Sequence, residues 1–184
     1  EEWANVVKGE DWVHGDPFQL GSQLGMSDAS PHAFGLYTTN ALYRRYGGSA
    51  AFQSFAQQQL DFALGDNAWG SSFVVGAGTT FPHCMQSEIA NVAGSLNGHG
   101  LIQLGATTDG PSGTFILHGL PSQAGQRACD ADPGYFKSFD TAASAYQDDV
   151  VDWPTVEPAD DYTSAPLLAF ALAAQGPAGR SAGP

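Results

Sequence analysis

Glycine and proline interrupt this chain so often that regular structure is confined to a few windows. The 184 residues include 23 Gly and 11 Pro. In a helix interior Gly costs about 1 kcal/mol and Pro about 3 kcal/mol relative to Ala, so the stretches between breakers decide the fold. From Ala33 to Tyr46 only Gly35 intervenes; Ser30 is a natural N-cap, Pro31 a natural first helical residue, and Gly47-Gly48 a stop. The apolar residues of this window (Phe34, Leu36, Tyr37, Ala41, Leu42, Tyr43, Tyr46) cover more than one face, which predicts a helix packed on several sides. A second helix begins after Ser49 and stops at Gly65. There Phe52, Phe55, Ala56, Leu60 and Ala63 form one stripe, with Gln53, Gln57, Gln58 and Asp61 opposite.

The remaining windows are shorter. Ser72-Phe73-Val74-Val75, between Gly70 and Gly76, reads as a strand or extended piece, and Met85 to Leu96 as a third helix ended by Asn97-Gly98. Residues 98–140 are dense in Gly, Pro, Ser and Asp and read as long surface loops, with short strands at 101–104 and 114–118. A loop region of this length inside a compact domain is usually functional. Asp140 is placed to cap a short helix over Thr141–Tyr146, and a final helix runs from about Ser164 to Ala174 with Pro166 in its first turn. Residues 1–31 read as loop with one short helix. The division expected is a domain over residues 1–175 and a Gly/Pro/Ala-rich tail over 176–184.

Six Lys+Arg against 19 Asp+Glu give a formal charge of −13, which argues against nucleic-acid and anionic-lipid partners. No run of about 18 apolar residues exists to span a membrane. Charged residues make up only 14%, against roughly 25% in a typical domain. This is the surface expected of a protein that binds uncharged polar ligands.

Among the carboxylates, Glu157 stands between Pro154 and Pro158 and close to Trp153. An indole that desolvates a carboxyl raises its pKa, as a general acid requires; alternatively Glu157 is a helix-entry residue favoured by the macrodipole. Asp148, Asp149 and Asp152 could steer a water, bind a metal or cap a turn. Asp130-Ala131-Asp132-Pro133-Gly134 alternates carboxylates with a turn but lacks the EF-hand spacing. The five histidines (His14, His32, His83, His99, His118) have no zinc spacing. Cys84 and Cys129 are compatible with one disulfide, as in an exported protein, or with two free buried thiols.

The order of motifs is more specific than any one of them. Leu64-Gly65-Asp66-Asn67 ends a helix and is followed by Ser72-Phe73-Val74-Val75-Gly76 and then Pro82-His83. About seventy residues on come Tyr146-x-Asp148-x(4)-Trp153-x(3)-Glu157-x-Ala159 and Tyr162. In this order and spacing the chain resembles glycoside hydrolase family 9 over roughly residues 30–175. The resemblance implies an all-α fold, the C-terminal portion of an (α/α)6 barrel with long loops and short β segments. It implies inverting hydrolysis of β-1,4 bonds in cellulose or related β-glucans, of endoglucanase type, by a secreted, extracellular enzyme. Glu157 is then the general acid, and His83, Tyr146, Asp148 and Trp153 serve substrate binding, with the two aromatic residues lining the cleft. No cofactor is required; a structural calcium is in keeping with the family, without a ligand set.

The departures suggest a divergent branch. Met85 stands where the family usually has Arg, Val156 where it has Asn, and Thr163 where it has Asn. The Asp-Ala-Gly-Asp type motif that supplies the general base is absent. With Glu1-Glu2-Trp3 as its start, the chain is expected to be processed or part of a longer one, with the N-terminal part of the catalytic domain as its partner. Alone it would be inactive. The alternative is a non-catalytic carbohydrate-binding remnant of the same fold.

Overall fold

The computed structural model describes residues 17–21, 27–87, 103–117, 135–141 and 144–176. Three helices dominate: α1 (Ala29–Arg45), α2 (Gln53–Ala63) and, near the C-terminus, α5 (Asp160–Ala174). Between α2 and α5 lie the two-residue strand β1 (Ser112–Gly113), the single turn α3 (Thr114–Leu117), a 3-10 turn (Tyr135–Phe139), strand β2 (Ser144–Ala145) and the single turn α4 (Trp153–Val156). Helix α1 packs against both α2 and α5, as its several apolar faces predict, with Phe34 edge-on to Phe170 of α5 at 5.5 Å.

Helix α1 starts earlier than its N-cap chemistry predicts. Asp28 occupies the cap in a left-handed conformation (φ 68°), and Ser30 lies inside the first turn. Ser30 is diverted to tertiary bonding: its N–H donates to the Asp109 carbonyl at 2.8 Å and its hydroxyl to the Thr108 carbonyl. Pro31 still falls in the first turn, where it is tolerated. The second helix begins and ends as expected, and Asn67 organises the turn after it. Its amide donates to the Phe62 and Ser71 carbonyls at 2.7 and 2.8 Å, and its oxygen accepts the Trp69 N–H at 3.1 Å.

The extended piece at 72–75 pairs with residues 105–108: Val74 bridges Thr107, Val75 N–H donates to Ala106 O at 2.9 Å, and Thr108 N–H to Phe73 O at 3.0 Å. Three expectations are corrected. Residues 114–117 form a helical turn, and the nearby strand is Ser112–Gly113, antiparallel to Ser144–Ala145. The helix expected over 141–146 is replaced by that strand, because Asp140 does not cap it: its Oδ1 accepts the Trp69 indole N–H at 2.9 Å and the Tyr146 N–H at 3.1 Å. Pro166 sits within α5 rather than in its first turn. The helix gains an earlier turn from Asp160 and Asp161, whose charges suit a helix N-terminus, and from Thr163 N–H donating to Ala159 O at 2.9 Å.

The core joins α1, α2, α5 and the 73–74 segment around Phe34, Phe62, Phe73 and Tyr146. Outside the described residues lie 88–96 of the expected third helix, the strand residues 101–102, most of the long loops, His14, His99, His118, Asp130, Asp132 and the tail beyond Gly176. Met85–Ser87, the described start of that helix, is not helical.

Candidate active site

The site is built on α4. Asp152 opens the turn, its carbonyl accepting the N–H groups of Thr155 and Val156 at 2.9 and 3.2 Å, and Pro154 fits a first turn that needs no donor. The turn cannot continue: Glu157 precedes Pro158, which forces it to an extended conformation (φ −71°, ψ 122°), with its N–H still closing the turn on Trp153 O at 3.1 Å. This directs Glu157 out of the helix as a half-buried carboxyl.

Three ties fix its backbone. Buried Thr155 donates its hydroxyl to the Gln147 carbonyl at 2.7 Å, and its own carbonyl accepts the Gly110 N–H at 3.2 Å. The Val156 carbonyl accepts the Gln86 N–H at 3.1 Å, joining the His83 loop to the residue before Glu157. Pro158 bridges Thr108. Gly110 is required there, since at φ 83° a Cβ would press on Phe73 at 3.2 Å and Ser30 at 3.3 Å.

Burial pushes the Glu157 carboxyl above its ordinary pKa, and the charges of Asp28 and Asp161 add to the rise. Behind it lies a second group of acids. The Tyr162 hydroxyl donates to Asp28 Oδ1 at 2.6 Å. Asp109 has no exposed surface, and neither of its carboxyl oxygens makes a hydrogen bond of normal geometry, although the Asp28 carboxylate and Tyr162 hydroxyl face it. Burial, then the contact and charge of Asp28, then the charge of Glu157 push the Asp109 pKa up to about 9.

The loop residues of the site are placed by Asp148. Its carboxylate accepts the N–H groups of His83, at 2.9 and 3.1 Å, and of Cys84 at 2.8 Å. Burial raises the Asp148 pKa, while these N–H bonds pull it back. The His83 ring stacks on Phe81 with centroids 4.6 Å apart.

Of the residues singled out in the sequence, Glu157, Trp153, His83 and Asp148 are brought into one connected framework. Trp153, one turn before Glu157, is 38% exposed. Tyr146 is a correction. Expected to line the cleft, it is fully buried, packed on Phe136 at 4.9 Å and Phe73 at 5.2 Å, because its place after β2 turns it into the core. Cys84 is buried and is not a free thiol; Cys129 lies outside the described residues. The departures from the family pattern have structural uses: Met85 is buried with Val75 and Val150, and the Thr163 hydroxyl accepts the Thr107 N–H at 3.2 Å. Asp28 and Asp109 carried no sequence signal, since each reads locally as a turn residue. Among the described residues no group of three or more His, Cys, Asp or Glu could hold a metal ion, and no helix is long and apolar enough to cross a membrane.

The model of glycosyl hydrolase family 9 matches residues 22–171. Comparison with curated proteins finds no significant match. Among solved structures, the crystal structure of a zinc-binding triple mutant of the family 9 endoglucanase J30 matches with a TM-score of 0.62 and 18% identity, over 92% of this chain and 28% of that one. The shared fold agrees with the expected portion of an (α/α)6 barrel, mostly helical with short strands. The chain spans little more than a quarter of that enzyme. On a family match covering most of its length, the chain belongs to glycosyl hydrolase family 9.

Proposed function

We propose that the protein carrying this chain hydrolyses β-1,4-glucosidic bonds in cellulose or a related β-glucan with inversion, and that Glu157 is its general acid. The observation that supports this reading is the position of Glu157: half-buried at the end of α4, with its pKa raised by burial and by two neighbouring acids. A carboxyl so placed holds its proton more tightly than an exposed one and can give it to the leaving glycosidic oxygen. Inversion then needs a second carboxylate, from outside this chain, about 6.5–9.5 Å away to activate a water.

Trp153, exposed one turn before Glu157, would bury the C–H face of a sugar ring, and His83 would contact a neighbouring sugar from a loop that Asp148 holds. The proposal includes secretion and a Cys84–Cys129 disulfide. The chemistry requires no cofactor.

The test is Glu157→Gln in the intact gene product, assayed on unactivated β-glucan. A loss of roughly 10²–10⁴-fold in kcat is expected, with the first product formed as the α anomer by NMR. Turnover close to that of the parent, or β product, would overturn the assignment.

A further inference from the structure

The Asp148 carboxylate fixes the backbone of His83, yet a ring that meets a ligand must also be held about its own side-chain bonds. A second contact does this. Pro82 is buried and biases the residue before it towards extended backbone, and alternate residues of an extended segment share a side. Phe81 and His83 are such a pair, and their rings stack with centroids 4.6 Å apart and planes 24° from parallel.

Phe81 is itself anchored. It is half-buried against the cluster of Val75, Met85 and Val150, and the Thr80 carbonyl beside it accepts the Ser72 N–H at 2.9 Å. On the other side of Pro82, His83 and Cys84 give their N–H groups to Asp148. The loop then reaches Gln86, whose N–H meets the Val156 carbonyl at 3.1 Å, one residue before Glu157. The imidazole is thus covered on one face and tied to the acid by a short path of fixed backbone. It is only half-buried, and among the described residues neither of its nitrogens makes a hydrogen bond. A stacked ring with its polar edge unengaged suits a ligand hydroxyl, which can both donate and accept. Ordering a side chain at the moment of binding weakens affinity, so a ring held beforehand binds more tightly.

We propose that Phe81 is a positioning residue for glucan binding: its ring, seated on Val75, Met85 and Val150, holds the His83 imidazole in the orientation that meets a sugar hydroxyl. The inference rests on the reading that His83 contacts the glucan. Phe81 acts through His83, so its effect falls on binding rather than on proton transfer at Glu157.

The test is a double-mutant cycle on KM for soluble β-glucan in the intact gene product. Phe81→Leu keeps an apolar side chain against the cluster and removes the stack. It is expected to raise KM about two- to tenfold with kcat near the parent value, whereas Phe81→Tyr, which keeps the ring, should retain the parent KM. His83→Ala should raise KM, and adding Phe81→Leu to it should raise KM no further. An unchanged KM in Phe81→Leu, or full additivity with His83→Ala, would overturn the proposal and leave His83 as a sugar contact. A parent-like KM in His83→Ala would overturn that contact and the proposal with it. Independently, NMR of histidine-labelled protein, with the His83 signals assigned by their loss in His83→Ala, should find its ring protons shifted upfield by the Phe81 ring. The shift should vanish in Phe81→Leu and persist in Phe81→Tyr; ring protons unmoved by Phe81→Leu would also overturn the proposal.

Discussion

Both carboxylate oxygens of Asp148 accept the backbone N–H of His83, at 2.9 and 3.1 Å, across 65 positions of sequence. The contact fixes a loop backbone rather than a side chain, so Asp148 acts on the site through the path of residues 82–84. An amide cannot replace it, since asparagine would bring an NH₂ donor against N–H donors. Asp148→Asn is expected to cost about 1–3 kcal/mol, read by denaturant unfolding of the intact protein. On the proposed function it should also raise KM for β-glucan more than it lowers kcat. Unchanged stability and KM would remove Asp148 from this role.

Asn67 offers a second test of a backbone frame. Its side chain serves the Phe62 and Ser71 carbonyls and the Trp69 N–H, all buried behind α2. Asn67→Ala removes the Asn67 partner of the Ser71 carbonyl and of the Trp69 N–H, while the Phe62 carbonyl keeps the Gly65 N–H at 3.3 Å, and should cost about 2–4 kcal/mol. Asn67→Asp, which sets a carboxylate oxygen against the Phe62 and Ser71 carbonyls, should lower the denaturant midpoint at neutral pH at least as far as Asn67→Ala.

Tyr146 separates a core role from a cleft role. Its hydroxyl is buried without a hydrogen bond of normal geometry, and its ring is enclosed by Phe73, Phe136 and Trp69. Tyr146→Phe should change stability by less than about 1 kcal/mol, whereas Tyr146→Ala should cost about 3–5 kcal/mol. Thermal unfolding of the two variants checks this. A Tyr146→Phe protein that folds normally but loses substrate affinity would return Tyr146 to the cleft.

Sequence and structure agree where the cause is local. Gly47 and Gly65 end their helices at positive φ, as their backbone freedom predicts, and Pro158 sets the conformation of Glu157. They part where a side chain is claimed by a distant partner. Ser30 and Asp140 both have cap chemistry, yet one bonds the 108–109 backbone and the other Trp69 and Tyr146. Tyr146 illustrates the same limit: its motif position marks it as important, but only the packing of β2 decides that it faces inward. The Asp28–Tyr162 contact is the extreme case. Neither residue predicts the other, and the pair exists only because α1 packs on α5 and residues 107–110 run alongside.

The buried acids make stability depend on pH with a definite sign. Burial raises Asp109 from its ordinary 3.8 to about 9, and burial followed by the charge of Asp149 raises Asp152 from 3.8 to about 7. Each binds its proton more tightly folded than unfolded. Its contribution to stability is therefore full below the unfolded value and is lost as pH rises, through about 7 for Asp152 and about 9 for Asp109. Between the unfolded and folded values each group lowers stability by at most about 1.4 kcal/mol per pH unit. Asp152→Asn should flatten the decline up to neutrality, and Asp109→Asn should flatten it further into the alkaline range. The measurement is the thermal midpoint of the intact protein at about pH 5 and about pH 8. The Asp109→Asn midpoint should gain on the parent at the higher pH, where the parent must ionise a fully enclosed carboxyl or unfold. Curves that run parallel across that range would mean Asp109 is already ionised near neutrality, with its charge met by a partner.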